Sequence, residues 1–143
     1  MIAVSIITVA YNSEKTISKT IESVLNQTYK CSEYIIIDGL SQDKTIEVAE
    51  SYRQQFEEKG IKYIVISEKD NGMYDALNKG ANLATGELVG QINADDFYEP
   101  DGVEKMVALY EKENYDAAWG SLNVIKDSGN MIKSAKLGKL WTT

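Results

Sequence analysis

Histidine is absent from the 143 residues, and its absence removes whole classes of chemistry. Without an imidazole there is no Ser-His-Asp relay and no His-ligated zinc. Cysteine is nearly absent too. The single Cys31 has no internal disulfide partner, which fits a reducing compartment. It falls in a loop ahead of a strand and reads as structural rather than nucleophilic. Any metal site must therefore use oxygen ligands, which points to Mg2+ or Mn2+. Positive charge is in deficit: 15 Lys and Arg stand against 22 Asp and Glu, a formal charge of −7. An acidic surface with no basic cluster repels nucleic acid backbones, so no nucleic acid partner is expected. Anionic ligands would need a metal or backbone donors to receive them. Long hydrophobic runs are missing as well. The N-terminal one ends at Ala10 and has no basic flank, so neither a signal peptide nor a membrane span is expected there. A cytoplasmic location follows as an expectation, with peripheral contact to the inner face of a membrane left open.

What is present is an ordinary folding composition, 43% hydrophobic and 26% charged, which argues against disorder. The length suits one domain, residues 1–143. Apolar runs alternate with helical periodicities. Val4 to Val9 reads as a buried strand, and Ile17, Ile21, Val24 and Thr28 form a helical stripe. Tyr34 to Ile37 is a second strand. Asp43 then caps a helix with Ile46, Ala49, Tyr52 and Phe56 inside, which Gly60 ends. Ile61 to Ile66 is a third strand, and Met73, Leu77, Ala81 and Ala84 predict a third helix with those residues in the core. Leu88 to Ile92 reads as a buried fourth strand. Pro100 suits the first turn of a helix carrying Val103, Met106, Val107 and Tyr110. A last strand, Ala117 to Val124, turns through Asp127-Ser128-Gly129-Asn130 into Met131-Ile132. Single helices between strands favour parallel pairing with right-handed crossovers, and hence an α/β fold with a late antiparallel hairpin.

Asn93-Ala94-Asp95-Asp96 closes the fourth strand. Adjacent carboxylates at a strand tip repel each other unless a cation intervenes. A turn or an N-cap is the bland alternative. The second strand also ends in an acid, Asp38-Gly39, suited to a ribose or base in a fold that binds ligands at the carboxyl ends of its strands. Gly39 equally supports a plain turn. Tyr11, at the tip of the first strand, could stack on a base or simply pack. No Gly-x-Gly-x-x-Gly or Gly-Lys-Ser/Thr loop follows a strand, which counts against a dinucleotide site and a P-loop ATPase.

In chain order these segments resemble family 2 glycosyltransferases of the GT-A fold. Val4 to Asn12 is similar to their opening strand, and Ser23-Val24-Leu25-Asn26-Gln27-Thr28-Tyr29 to their first helix end. Ile35 to Thr45 resembles the Asp-Asp-Gly-Ser segment in its Asp-Gly-Gly-Ser variant. Gly72 to Gly80 and Ala84 to Glu87 resemble the next signature, and Asn93 to Asp96 stands where the metal-binding DxD-type motif belongs. The resemblance implies a Rossmann-like, mostly parallel sheet flanked by helices. It also implies a nucleotide-diphospho-sugar donor, most often UDP-linked, and a saccharide or lipid-linked acceptor in polysaccharide assembly. Inverting hexosyl transfer, assisted by Mn2+ or Mg2+, goes with it. By position, Val9, Ala10 and Tyr11 would line the nucleotide pocket, and Asp38 would contact the base or ribose. Asp95 would face the ribose or the metal, and Asp96 would bind the metal. Gly39 stands where the family often has a second, uracil-reading acid, and Asn93 replaces a frequent acid. Family members draw their catalytic base from a later segment; Glu99 and Asp101 lie nearby, but nothing marks either as the base. The expectation is a donor-binding half, with a non-catalytic sugar-nucleotide-binding module as the rival. A sugar nucleotidyltransferase is the remote alternative, lacking its glycine-rich basic loop.

Overall fold

In the computed structural model, residues 1–125, 129, 131–135 and 139–141 are described. Strand β1 (Val4–Ala10) is buried along its whole length, and so is β2 (Glu33–Asp38). Burial on both faces is what a central parallel strand requires. With β3 (Lys62–Ser67) and β4 (Leu88–Gln91) they form a four-stranded sheet in the order β3-β2-β1-β4, every pairing parallel. Successive side chains point to opposite faces. Ile7, Val9, Ile35 and Ile37 pack with Ala76 of helix α4 (Met73–Leu83). On the other face Tyr34 lies 5.3 Å from Phe56 of α3 (Arg53–Glu58), and Phe56 stacks on Tyr63 at 4.5 Å. Each fully buried Ile or Phe contributes about 1.5–3 kcal/mol, so these two layers hold the sheet.

The helices differ from the sequence reading in three instructive ways. Helix α1 (Ile17–Leu25) buries Ile17, Thr20, Ile21, Val24 and Leu25 but stops before Thr28. The helix expected between Asp43 and Gly60 is broken at Tyr52 into α2 (Thr45–Ser51) and α3. Gly60 does end it, at φ +67°, with Gly60 N–H donating to Glu57 O and Ile61 N–H to Phe56 O, the paired bonds of a Schellman motif. In α4 the buried residues are Ala76 and Gly80, while Met73 is 49% exposed. Of the predicted stripe, Leu77 and Ala84 pack half-buried against the core and Ala81 is exposed. Small residues lead the inner face because they let the helix approach the sheet closely, and a Cβ on Gly80 would meet Ile7 Cγ2 at 2.6 Å. Strand β4 is only half-buried, with Val89 exposed, since β1 is its sole partner among the described residues.

The chain divides into two compact units, residues 1–105 and 106–143, the division falling within α5 (Gly102–Glu113). In the second unit Tyr115 meets Tyr110 edge-on at 5.4 Å and donates to Met106 O at 2.9 Å. The single late strand of the sequence reading is two strands there, β5 (Ala117–Trp119) and β6 (Leu122–Ile125). Strand β6 pairs antiparallel with β7 (Met131–Ala135), and β5 with β8 (Lys139–Trp141). Of the turn expected between them, Asp127, Ser128 and Asn130 lie outside the described residues.

Candidate active site

The carboxyl edge of the sheet is assembled by loops tied to one another through side chains. After β1, Asn12 takes a left-handed backbone (φ 46°); after β2, Leu40 does the same (φ 62°). Asparagine tolerates this region, but for leucine it costs about 1–2 kcal/mol and needs support. The support is a cross-loop network. Asn12 N–H donates to Ser41 Oγ at 2.7 Å, and Asn12 Oδ1 accepts from Gln42 N–H at 2.9 Å. Ser13 N–H donates to Thr45 Oγ1, and Glu14 N–H to Asp43 Oδ2. Asp43 is not the N-cap the sequence suggests: Lys44 takes that position in α2, and Asp43, one residue earlier, accepts from Thr45 N–H at 3.0 Å. Fixed this way, the tips leave Tyr11 (63%) and Leu40 (50%) exposed.

Asp38 anchors the same network from below. It pairs in register with Ala10 and is fully buried. Both carboxylate oxygens are engaged: Ser41 donates through its hydroxyl to Oδ1 and its N–H to Oδ2, and Ser67 Oγ donates to Oδ2 at 2.7 Å. Val9 and Ala10 are buried, Val9 within the core under α4. Of Val9, Ala10 and Tyr11, only Tyr11 has an exposed side chain.

Asp95 and Asp96 follow β4, the neighbour of β1 on its other side, and both are exposed. Their loop is held by the polar face of α1. Thr20 Oγ1 donates to Asp96 O at 2.6 Å, and Ser23 Oγ accepts from Tyr98 N–H at 3.1 Å. Gln27, itself buried, donates to Glu99 O and accepts from Val103 N–H. Thr20 and Gln27 were missed as site-building residues in the sequence. The signal was there, since Thr20, Ser23 and Gln27 recur at helical spacing among apolar neighbours. Asp96 titrates above the usual aspartate range. Desolvation is the larger cause and the Asp95 charge adds to it, against a hydrogen bond from the Asn93 side chain. A cation between these oxygens would relieve that repulsion. No group of three or more His, Cys, Asp or Glu that could hold a metal occurs among the described residues. Two carboxylates suit a hard cation that takes its remaining ligands from phosphate and water.

Of the other residues weighed, Asp101 pairs with Lys105 at 2.7 Å, and its carboxyl is held low by that hydrogen bond. Burial pushes the Cys31 thiol up to about 11, which leaves it unreactive. A shallow cavity of about 210 Å3 lies between Lys19, Glu22 and Ser23 of α1, Asn26 just past its end, and Phe97, Tyr98 and Pro100; none of the predicted site residues lines it. Among the described residues no helix is long and apolar enough to cross a membrane.

The sequence pattern of Glycosyl transferase family 2 matches residues 5–142. The chain belongs to that family. An uncharacterized glycosyltransferase of Haemophilus influenzae is 37% identical over 142 residues, covering 96% of this chain and 43% of its own. Chondroitin synthase of Escherichia coli is 33% identical over 132 residues, covering 92% of this chain and 19% of that enzyme. The chain thus spans less than half the length of these curated relatives. Among solved structures, S. aureus TarS in complex with UDP-GlcNAc superposes with a TM-score of 0.72 at 24% identity, over 80% of this chain and 32% of that one. The mannosyltransferase PcManGT from Pyrobaculum calidifontis, in complex with GDP-Man and Mn2+, superposes at 0.66 and 22% identity, over 87% and 36%. The fold of this family 2 member is GT-A, as its sequence resemblance implied.

Proposed function

We propose that residues 1–143 form a donor-binding domain. It would act in transferring a hexosyl group from a nucleotide-diphospho-sugar, UDP-linked, to a saccharide or lipid-linked acceptor in polysaccharide assembly. The observation that carries this reading is the Asp95-Asp96 pair, presented beside the β1 tip by a loop whose backbone α1 holds. The sugar nucleotides bound to TarS and PcManGT support the donor class. The backbone at Val9 and Ala10 and the ring of Tyr11 would border the nucleotide, and Asp38 would shape the pocket through the β2 tip.

Asp96, with Asp95, would hold Mn2+ or Mg2+, which when bound contributes charge neutralisation at the departing diphosphate. An acceptor hydroxyl attacks the anomeric carbon, the bond to the diphosphate breaks, and the configuration inverts. The hydroxyl proton passes to a carboxylate supplied from outside this segment. A cytoplasmic site, at the inner face of a membrane where lipid-linked acceptors are met, is part of the same proposal. The test is calorimetric titration with UDP, with and without Mn2+. Asp96→Ala is expected to abolish the Mn2+-dependent binding while the thermal melt stays within a few degrees of the parent. Binding that survives this change unaltered refutes the metal assignment.

A further inference from the structure

Gly39 stands at the tip of β2 with its backbone outside the left-handed region, so glycine is not required there for its φ. What it leaves there is space. A Cβ at this position would meet Asp70 Oδ2 at 2.7 Å, with Cγ at 3.3 Å and Oδ1 at 3.4 Å. The volume a side chain would fill at the β2 tip is occupied by a carboxylate delivered from the loop after β3.

That loop is built to hold it. Glu68 N–H donates to Asp38 O at 3.0 Å, which carries the β2–β3 pairing past the end of the strands. Asp70 Oδ1 accepts from Gly72 N–H at 2.9 Å, and Asn71 N–H donates to Asp75 Oδ2 at 2.9 Å. Lys79 reaches back from α4 to Lys69 O at 3.0 Å. Asp70 Oδ2 takes no hydrogen bond from any described residue. The two acids at this tip therefore differ in capacity. Asp38 is buried with both oxygens engaged, whereas Asp70 is half-buried with an oxygen to spare.

We propose that Asp70 reads the nucleobase of the donor, accepting a hydrogen bond from a ring N–H flanked by a carbonyl, as in uracil or guanine. This rests on the nucleotide-sugar reading above. An ionised carboxylate only accepts. Uracil N3 and guanine N1 carry a hydrogen; cytosine N3 and adenine N1 carry a lone pair that a carboxylate repels. Tyr11, exposed at the adjacent β1 tip, offers a stacking face, and stacking tolerates any base. Selection between bases then falls to Asp70.

The experiment compares UDP with CDP, which differ only in the base, by calorimetry in Mn2+ on this protein. The parent is expected to prefer UDP by about tenfold or more, the worth of a hydrogen bond to a charged group. Asp70→Asn, which keeps the size and the bond to Gly72, is expected to erase or reverse that preference. Gly39→Ala is expected to do the same without touching the acid, by displacing it. Thermal melts establish that each variant is folded. If UDP binds but the preference is absent in the parent, or persists in both variants, the inference falls while the donor reading stands. If the folded parent binds neither nucleotide, the donor reading falls and takes the inference with it.

Discussion

Strand β2 carries a buried acid at each end, and the two ends do different things. At the amino end Glu33 accepts from Ser5 Oγ at 2.5 Å and from Thr85 N–H at 2.5 Å, with Lys62 at 3.6 Å. At the carboxyl end Asp38 accepts from Ser41 and Ser67. Both are buried and both join strands to loops. At the amino end the loop between α4 and β4 closes over the acid, Gly86 N–H also bonding Ser5 Oγ at 2.7 Å. At the carboxyl end the loops are tied side by side, and Tyr11, Leu40, Met73 and Tyr74 remain exposed. A buried carboxylate alone does not mark a site; what it holds, and whether that surface stays open, does.

The largest effect that could break this comparison is expected from Asp38→Ala. It leaves the Ser41 and Ser67 donors without their acceptor and is expected to cost roughly 3 kcal/mol in denaturant unfolding. A loss of nucleotide affinity with no change in stability would instead make Asp38 a ligand contact, unlike Glu33.

A smaller effect separates the ends by pH. Burial raises the Glu33 carboxyl, but the hydrogen bonds from Ser5 and Thr85, with the Lys62 charge, outweigh it and hold the group below the usual glutamate range. A folded-state value below the unfolded one gives stability that is present above about pH 4.3 and lost as pH falls through the folded value. Glu33→Gln is expected to flatten the acid limb of stability against pH, in unfolding curves taken between about pH 3 and 6. An unchanged acid limb would mean that other carboxylates set it. The smallest effect on the fold is expected from Thr20→Val, about 1 kcal/mol for one hydrogen bond. Its weight should fall on Mn2+-dependent UDP affinity, because the hydroxyl lost is the one shared between Asp96 O at 2.6 Å and Asn93 O at 3.4 Å. Affinity equal to the parent would show that the metal loop does not depend on α1.

The parallel sheet was legible because Ile, Val and Tyr runs separated by helical spacing have few other solutions. The Schellman stop at Gly60 was legible because only glycine takes that backbone freely. The face of α4 was legible only in part: Leu77 and Ala84 pack on the core as read, but hydrophobicity ranked Met73 above Gly80, and only the sheet's proximity decides that small residues go inward. The helix break at Tyr52 carried no proline or glycine to announce it.

By itself, then, the sequence determined the family, the alternation of strands and helices that builds the parallel sheet, and the presence of acids at the carboxyl end of β2 and after β4. Only the tertiary structure decided which acids are committed to packing and which face outward. The bonds responsible join residues far apart in the chain, Ser5 to Glu33, Thr20 to Asp96 and Ser67 to Asp38, and the close approach of Asp70 to Gly39 is of the same kind. Local propensity carries no information about such partners. They come together only when the parallel strands align and the buried polar groups must be satisfied.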